Sequence, residues 1–297
     1  MSLMTYRDRW LTWLFVAPAL LLVSVLMYYP MLGTVVESFY STSFINPTPK
    51  FVGLTAYEKI VGSAEFTRVV WNSFIWTFFV VVLQNVLGFA AALLLNQHLP
   101  GQGLMRALVL LPWVLPGVVA AVLWRFMYDP QLGLINSVLM SLGLIDHGIA
   151  WLAEPTIAMG SAIIAAVWKG FPFSCVVYLA ALQAIDREQI EAAIVDGAGP
   201  VRRLLDVILP GMREVIVINF LLTTILTFNY FDMIWVLTRG GPQNATHIFP
   251  TKIYELGFGQ FRFGEAAVYG VFSILALALM ITLYFGVQSN GSRRKSS

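Results

Sequence analysis

The sequence predicts an all-α, polytopic membrane protein with six transmembrane helices. Three observations carry that expectation: a shortage of charge, six long apolar runs, and basic residues gathered on one side of those runs. Only 11% of the 297 residues are Asp, Glu, Lys or Arg, against roughly 25% in a soluble domain. Mean hydropathy is +0.76. Lipid is the solvent that fits this composition.

A helical span needs about 20 apolar residues to cross the hydrocarbon core. Runs of that kind cover 10–29, 69–95, 107–124, 156–185, 215–237 and 266–287. They are long and continuous, whereas barrel strands are short and alternating. Unpaired backbone groups are costly in lipid, so the runs are expected to be helices. The first run follows Arg7 and Arg9, as a signal peptide would. Its apolar stretch exceeds a signal core and no small-residue cleavage site closes it, so a retained helix is expected.

Arg7, Arg9, Arg106, Arg187, Arg202, Arg203, Arg213, Arg293, Arg294 and Lys295 all fall on one side of the six runs. The other side carries fewer basic residues on longer loops. The bias of basic residues toward the cytoplasm therefore places both termini inside. The inner loops are then 96–106 and 186–214, and the outer loops 31–68, 125–155 and 238–265. The outer residues Glu58, Lys59, Glu65, Arg68, Asn136 and Trp151 are candidates for touching a partner, although most of the charges read as simply solvated.

Several functions are excluded early. A net charge of +2 without a basic cluster argues against nucleic acid. The single cysteine, Cys175, rules out an internal disulfide. His98, His147 and His247 lie in separate segments without ligand spacing, so no metal and no catalytic triad is expected. No cofactor is expected on this chain.

The loop 186–214 is unlike the rest. Residues 186–210 read DREQIEAAIVDGAGPVRRLLDVILP. Asp186 with Gln189 three residues on can cap a helix. Ile190, Ala193 and Ile194 share one face of it, with Glu188 opposite. Gly197 and Gly199 break the helix, and Pro200 suits the first turn of the next. There Leu204, Leu205 and Ile208 form a stripe with Arg202, Arg203 and Asp206 turned away. The loop reads as two short amphipathic helices at an acute turn. They are either a membrane-surface pair or a docking knob whose small residues admit a close partner.

This stretch resembles the EAA motif of permeases in binding-protein-dependent ABC importers: E-A-A, three residues, G, nine residues, I-x-L-P. Glu191, Ala192, Ala193, Gly197, Leu209 and Pro210 stand at matching positions, and Val207 replaces the usual Ile. With Asp196 and Ala198 the string is similar to the carbohydrate-uptake branch, in the style of maltodextrin and glycerol-phosphate permeases. Residues 51–57, FVGLTAY, resemble that branch's FVGLxNY, with Ala56 for Asn. Residues 231–242, FDMIWVLTRGGP, resemble FDxIWxLTxGGP.

The resemblance implies a type I importer permease forming a single transmembrane domain over residues 1–297. It implies alternating access driven by two separate ATPase subunits, a second permease subunit that is a different chain rather than a copy, and a solute-binding protein. It also implies an address in the bacterial cytoplasmic (inner) membrane. The 191–210 motif would be the coupling helix. The chain has no Gly-Lys dipeptide and hence no phosphate-cradling loop of the G-x-x-x-x-G-K type, so ATP and Mg belong on the ATPase.

Counting along the family pattern, the cavity positions fall on Lys169, Gly170, Phe173, Thr223, Leu226, Thr227 and Tyr230. The last four are spaced by three or four and share a helical face in any case. Lys169 lies about 20 Å along its span at helical rise. It either snorkels or pairs with a carbonyl, or it faces a solute, where it would suit an anionic group. Thr223, Thr227 and Tyr230 either bind a sugar-like solute or bond neighbouring helices. Asp232 reads as a brace for the turn at Gly240, Gly241 and Pro242. An ion-coupled transporter would carry broken helices and intramembrane carboxylates, and a membrane enzyme clustered His, Asp or Glu; neither pattern is evident.

Overall fold

The structure, a computed structural model, describes residues 6–43, 48–97 and 100–293. His98, Arg294 and Lys295 lie outside the described residues, as do the side chains of Arg7, Arg9 and Arg293. In chain order the helices are α1 (Tyr6–Val23), α2 (Tyr29–Glu37), α3 (Thr55–Val61), α4 (Ala64–Leu95), α5 (Gln102–Val114), α6 (Gly117–Met127), α7 (Leu134–Ser141) and α8 (Ala158–Gln183). They continue with α9 (Arg187–Val195), α10 (Pro200–Arg203), α11 (Leu209–Gly211), α12 (Arg213–Phe228), α13 (Asp232–Leu237), α14 (Phe249–Tyr254) and α15 (Phe263–Arg293). Two-residue strands β1 (Tyr40–Ser41) and β2 (Lys50–Phe51) pair antiparallel, Tyr40 opposite Phe51.

Five of the six expected spans are near-straight passages: Trp13–Glu37, Ala64–Leu95, Ala158–Gln183, Arg213–Leu237, which is broken briefly at 229–231, and Phe263–Gly286. The first runs eight residues beyond the expected end at 29, because Pro30 does not stop it. A proline in a helix leaves a carbonyl one turn back without a donor. Here a wide turn over Ser24–Tyr28, closed by Tyr29 N–H on the Ser24 carbonyl, absorbs the mismatch. The same device precedes Pro210, where Leu209 N–H bonds the Leu204 carbonyl.

The span expected at 107–124 is not one straight helix. α5 and α6 meet at 97°. Leu115 precedes Pro116, whose ring disfavours helical backbone at the residue before it. Leu115 is extended at ψ 136°, and the chain turns there. Hydropathy averages across such an elbow and cannot register it.

The chain divides into two compact units, residues 1–63 with 253–275, and 64–252 with 276–297. In the first, the Ser38 hydroxyl meets the Tyr57 hydroxyl at 2.6 Å and the Tyr57 ring lies 5.9 Å from that of Phe272. The apolar stretch of Trp13–Glu37 buries none of its side chains within the chain. In the second unit α4 runs along α8, with α5 and α12 on the same pair and α13 against α6. Its core gathers Trp76, Val80, Ala120, Ala121, Ala162, Ala166, Met233 and Ile234. Gly88 lets α4 approach α8 closely: a Cβ there would lie 2.6 Å from Ser174 Cβ and 2.9 Å from Cys175 N. Small residues at such crossings are how helices pack tightly in lipid.

Candidate functional site

All seven cavity candidates line one cleft of about 390 Å³ in the second unit. α8 contributes Lys169, Gly170 and Phe173, spaced by one and three, so that they share a face. α12 contributes Thr223, Leu226 and Thr227, and Tyr230 follows just past its end. Sequence reasoning missed Gln84 on α4, Trp113 on α5 and Gly117 on α6, which line the same cleft. Gln84 reaches Gly170 so closely that its Oε1 would sit 2.2 Å from a Cβ at that position. The rings of Trp113 and Phe173 lie 6.0 Å apart, giving the cleft an aromatic corner.

The lining groups differ in what they have left to offer. Thr223 is committed: its hydroxyl donates to the Asn219 carbonyl at 2.7 Å and accepts from Asn85 Nδ2 at 3.0 Å. It belongs to a buried polar cluster across α4, α8 and α12, which the hydropathy pattern concealed. Asn219 Nδ2 donates to Asn85 Oδ1 at 2.7 Å and to Ser174 Oγ at 3.0 Å, and the Tyr178 hydroxyl donates to Asn85 Oδ1 as well. For Thr223 the helix-bonding alternative therefore describes what its hydroxyl does. By contrast, the Tyr230 hydroxyl is buried with no partner among the described residues. Among those residues the side chains of Lys169 and Asp232 make no hydrogen bond and no ion-pair contact, although both line the cleft.

Asp232 is where expectation and structure part. It opens α13 and its carboxylate lies against Gly117, with Oδ2 2.9 Å from where a Cβ would stand. The turn it was expected to brace is held by other groups. The Thr238 and Thr246 hydroxyls meet at 2.6 Å, Thr246 donates to the Gly241 carbonyl at 2.7 Å, and the His247 ring packs over Gly240. Asp232 starts a new helix after the break at Asn229, so its side chain is carried toward the cleft rather than along the turn.

The outer-loop candidates are mostly occupied. Asn136 is fully buried and staples its own loop: Nδ2 donates to the carbonyls of Asp129, Pro130 and Ile149, and Oδ1 accepts from Trp151 Nε1 at 2.9 Å. Glu65 is paired with the buried Lys252 at 2.6 Å, and Arg68 donates to the Gln243 carbonyl at 2.7 Å. Lys59 lies 3.8 Å from Glu265. Glu65 and Arg68 are thus tied to the 238–265 loop rather than merely solvated. At Asp129, backbone N–H groups of Leu132 and Gln131 hold the carboxyl below its ordinary pKa.

The 186–214 loop folds as two helical pieces. Asp186 caps α9 by accepting from Glu188 N–H at 3.1 Å. Gly197 ends it at φ +75°. Its N–H bonds the Ile194 carbonyl at 3.0 Å, and Ala198 N–H bonds the Ala193 carbonyl at 2.9 Å, the paired closure that a left-handed glycine permits. α10 begins at Pro200 as expected, and its helix continues through the wide turn at Leu204–Ile208 to Gly211. Glu191, Ala192, Asp196, Gly197 and Pro210 are exposed, while Ala193, Ala198 and Leu209 are half-buried. Val195, Val201, Leu205 and Ile194 stand at least half exposed. Arg203, expected to face away, instead buries its Nε with no partner among the described residues, while Leu205 is exposed. Arg202 and Asp206 pair at 3.2 Å on the surface.

Residues 84–297 match the family of binding-protein-dependent transport system inner membrane components. The chain is 36% identical over 281 residues to the trehalose/maltose transport system permease protein of Thermococcus litoralis, covering 95% of this chain and 93% of that one. It is 32% identical over 281 residues to the sulfoquinovosyl glycerol transport system permease protein of Agrobacterium fabrum, covering 94% and 90%. Among solved structures it is similar in fold to a chain of a bacterial ABC transporter for import of the acidic polysaccharide alginate. The TM-score is 0.81, with 22% identity over 98% of each chain.

Proposed function

Since the chain belongs to the family of binding-protein-dependent transport system inner membrane components, we propose that it is the permease subunit of an ATP-driven importer for a sugar or sugar-like solute. Its partners in this reading are a second permease subunit of a different chain, two ATPase subunits that hold ATP and Mg, and a solute-binding protein. Both termini and the 186–214 loop face the cytoplasm.

The observation that carries the proposal is the loop itself. A capped, glycine-terminated helix holds out Glu191, Ala192 and Asp196 beside uncovered Val195 and Ile194. Exposed apolar side chains rimmed by charge mark a contact surface. Relatives named for trehalose/maltose and for sulfoquinovosyl glycerol support a carbohydrate-like solute. The cleft suits one: Trp113, Phe173 and Tyr230 offer aromatic faces, with polar groups between them.

Two substitutions test the coupling role. At Gly197, φ +75° costs about 1–2 kcal/mol for any residue with a Cβ, and Gly197→Trp adds bulk where a partner would approach. Glu191→Lys reverses charge on the same surface. Both variants are expected in the membrane at normal levels with ATP-dependent uptake reduced at least about tenfold, a loss of roughly 1.4 kcal/mol of coupling. Unchanged vanadate-sensitive uptake in both would refute the assignment. Mass spectrometry of solute released from the purified complex identifies the cargo.

A further inference from the structure

Lys169 and Asp232 are the two charged side chains among the described residues lining the cleft, and they have opposite signs. One comes from the middle of α8 and the other from the first residue of α13. Each keeps its hydrogen-bonding capacity unspent among the described residues, and so does the buried Tyr230 hydroxyl. An ammonium offers only donors and a carboxylate only acceptors. A group that satisfies both must donate and accept, as a sugar hydroxyl does. A lone Lys169 would draw an anionic substituent, but Asp232 sets the opposite charge on the same cleft. An anion paired with the lysine would lie in the same confined space as the carboxylate, and like charges so placed are strongly disfavoured.

We infer that Asp232, acting with Lys169 across one cleft, makes this permease select an uncharged polyhydroxylated solute over an anionic one. The inference rests on the permease reading above. It does not follow from the relatives, one of which is named for trehalose and maltose and another for sulfoquinovosyl glycerol.

The test uses the complete importer, purified with its partner chains and reconstituted in nanodiscs. Equilibrium binding is measured for radiolabelled trehalose and for trehalose 6-phosphate, which share a framework and differ by one phosphate. The wild type is expected to bind trehalose at least about tenfold more tightly. Asp232→Asn should erase or reverse that ratio, and Asp232→Glu should keep it, while all three assemblies retain the same melting temperature. Equal or tighter binding of the phosphate by the wild type overturns the inference. So does a ratio unchanged by Asp232→Asn, an absence of saturable trehalose binding, or recovery of an anionic solute from the native complex. Failure of the permease reading shows separately: no ATPase would co-purify and no uptake would respond to vanadate.

Discussion

Between α4, α8 and α12, the side chains of Asn85, Ser174, Tyr178, Asn219 and Thr223 exchange hydrogen bonds almost entirely among themselves. In the adjoining cleft, Lys169, Asp232 and Tyr230 hold polar groups with no such exchange. Both sets lie in apolar surroundings where an unmet polar group is expensive. The first set, apart from Asn219 Oδ1, has its partners built into the fold, so its polarity serves cohesion. Among the described residues the second has no hydrogen-bonding partner, so its groups stay available to whatever enters the cleft. Polarity inside a membrane span is therefore not one signal, and the accounting of hydrogen bonds divides it.

Substitutions can break or sharpen this contrast, read as stability of the detergent-purified complex in denaturant. The largest effect is expected at the seam beside the cohesive cluster. Gly88→Leu must push α4 off the Ser174–Cys175 backbone and should cost about 3 kcal/mol or more. Asn219→Leu removes the donor to both Asn85 and Ser174 and should cost about 1–3 kcal/mol. Lys169→Gln should change stability by less than about 0.5 kcal/mol while lowering solute uptake severalfold. If Lys169→Gln destabilised the protein as much as Asn219→Leu, the distinction between cohesive and available polarity would collapse.

The long spans and the cytoplasmic loop were legible in the sequence because their signals are local. Twenty apolar residues in a row have few alternatives to a buried helix, and the loop's cap, glycine and proline each dictate backbone within a turn. The cleft was legible only as positions on helical faces. The seven candidates do gather in space, but Gln84, Trp113 and Gly117 join them from helices whose placement is a tertiary fact. The elbow at Leu115 escaped hydropathy, although Pro112, Pro116 and Gly117 within one run were a usable sign. Asp232 was misassigned for a related reason: nearness in sequence suggested the Gly240 turn, whereas the break at Asn229 turns the side chain elsewhere. Asn136 could not be read as a staple, since its four partner residues lie up to fifteen residues away.

The right-angled elbow of α5 and α6 has a mechanical consequence. A straight rod in a bilayer can slide along its own axis like a piston, but a rod bent by 97° cannot, because one limb would have to plough sideways through its neighbours. Any displacement of α5 along its own axis would carry α6 sideways, with the wall of the cleft at Trp113 and Gly117 on either side of the bend.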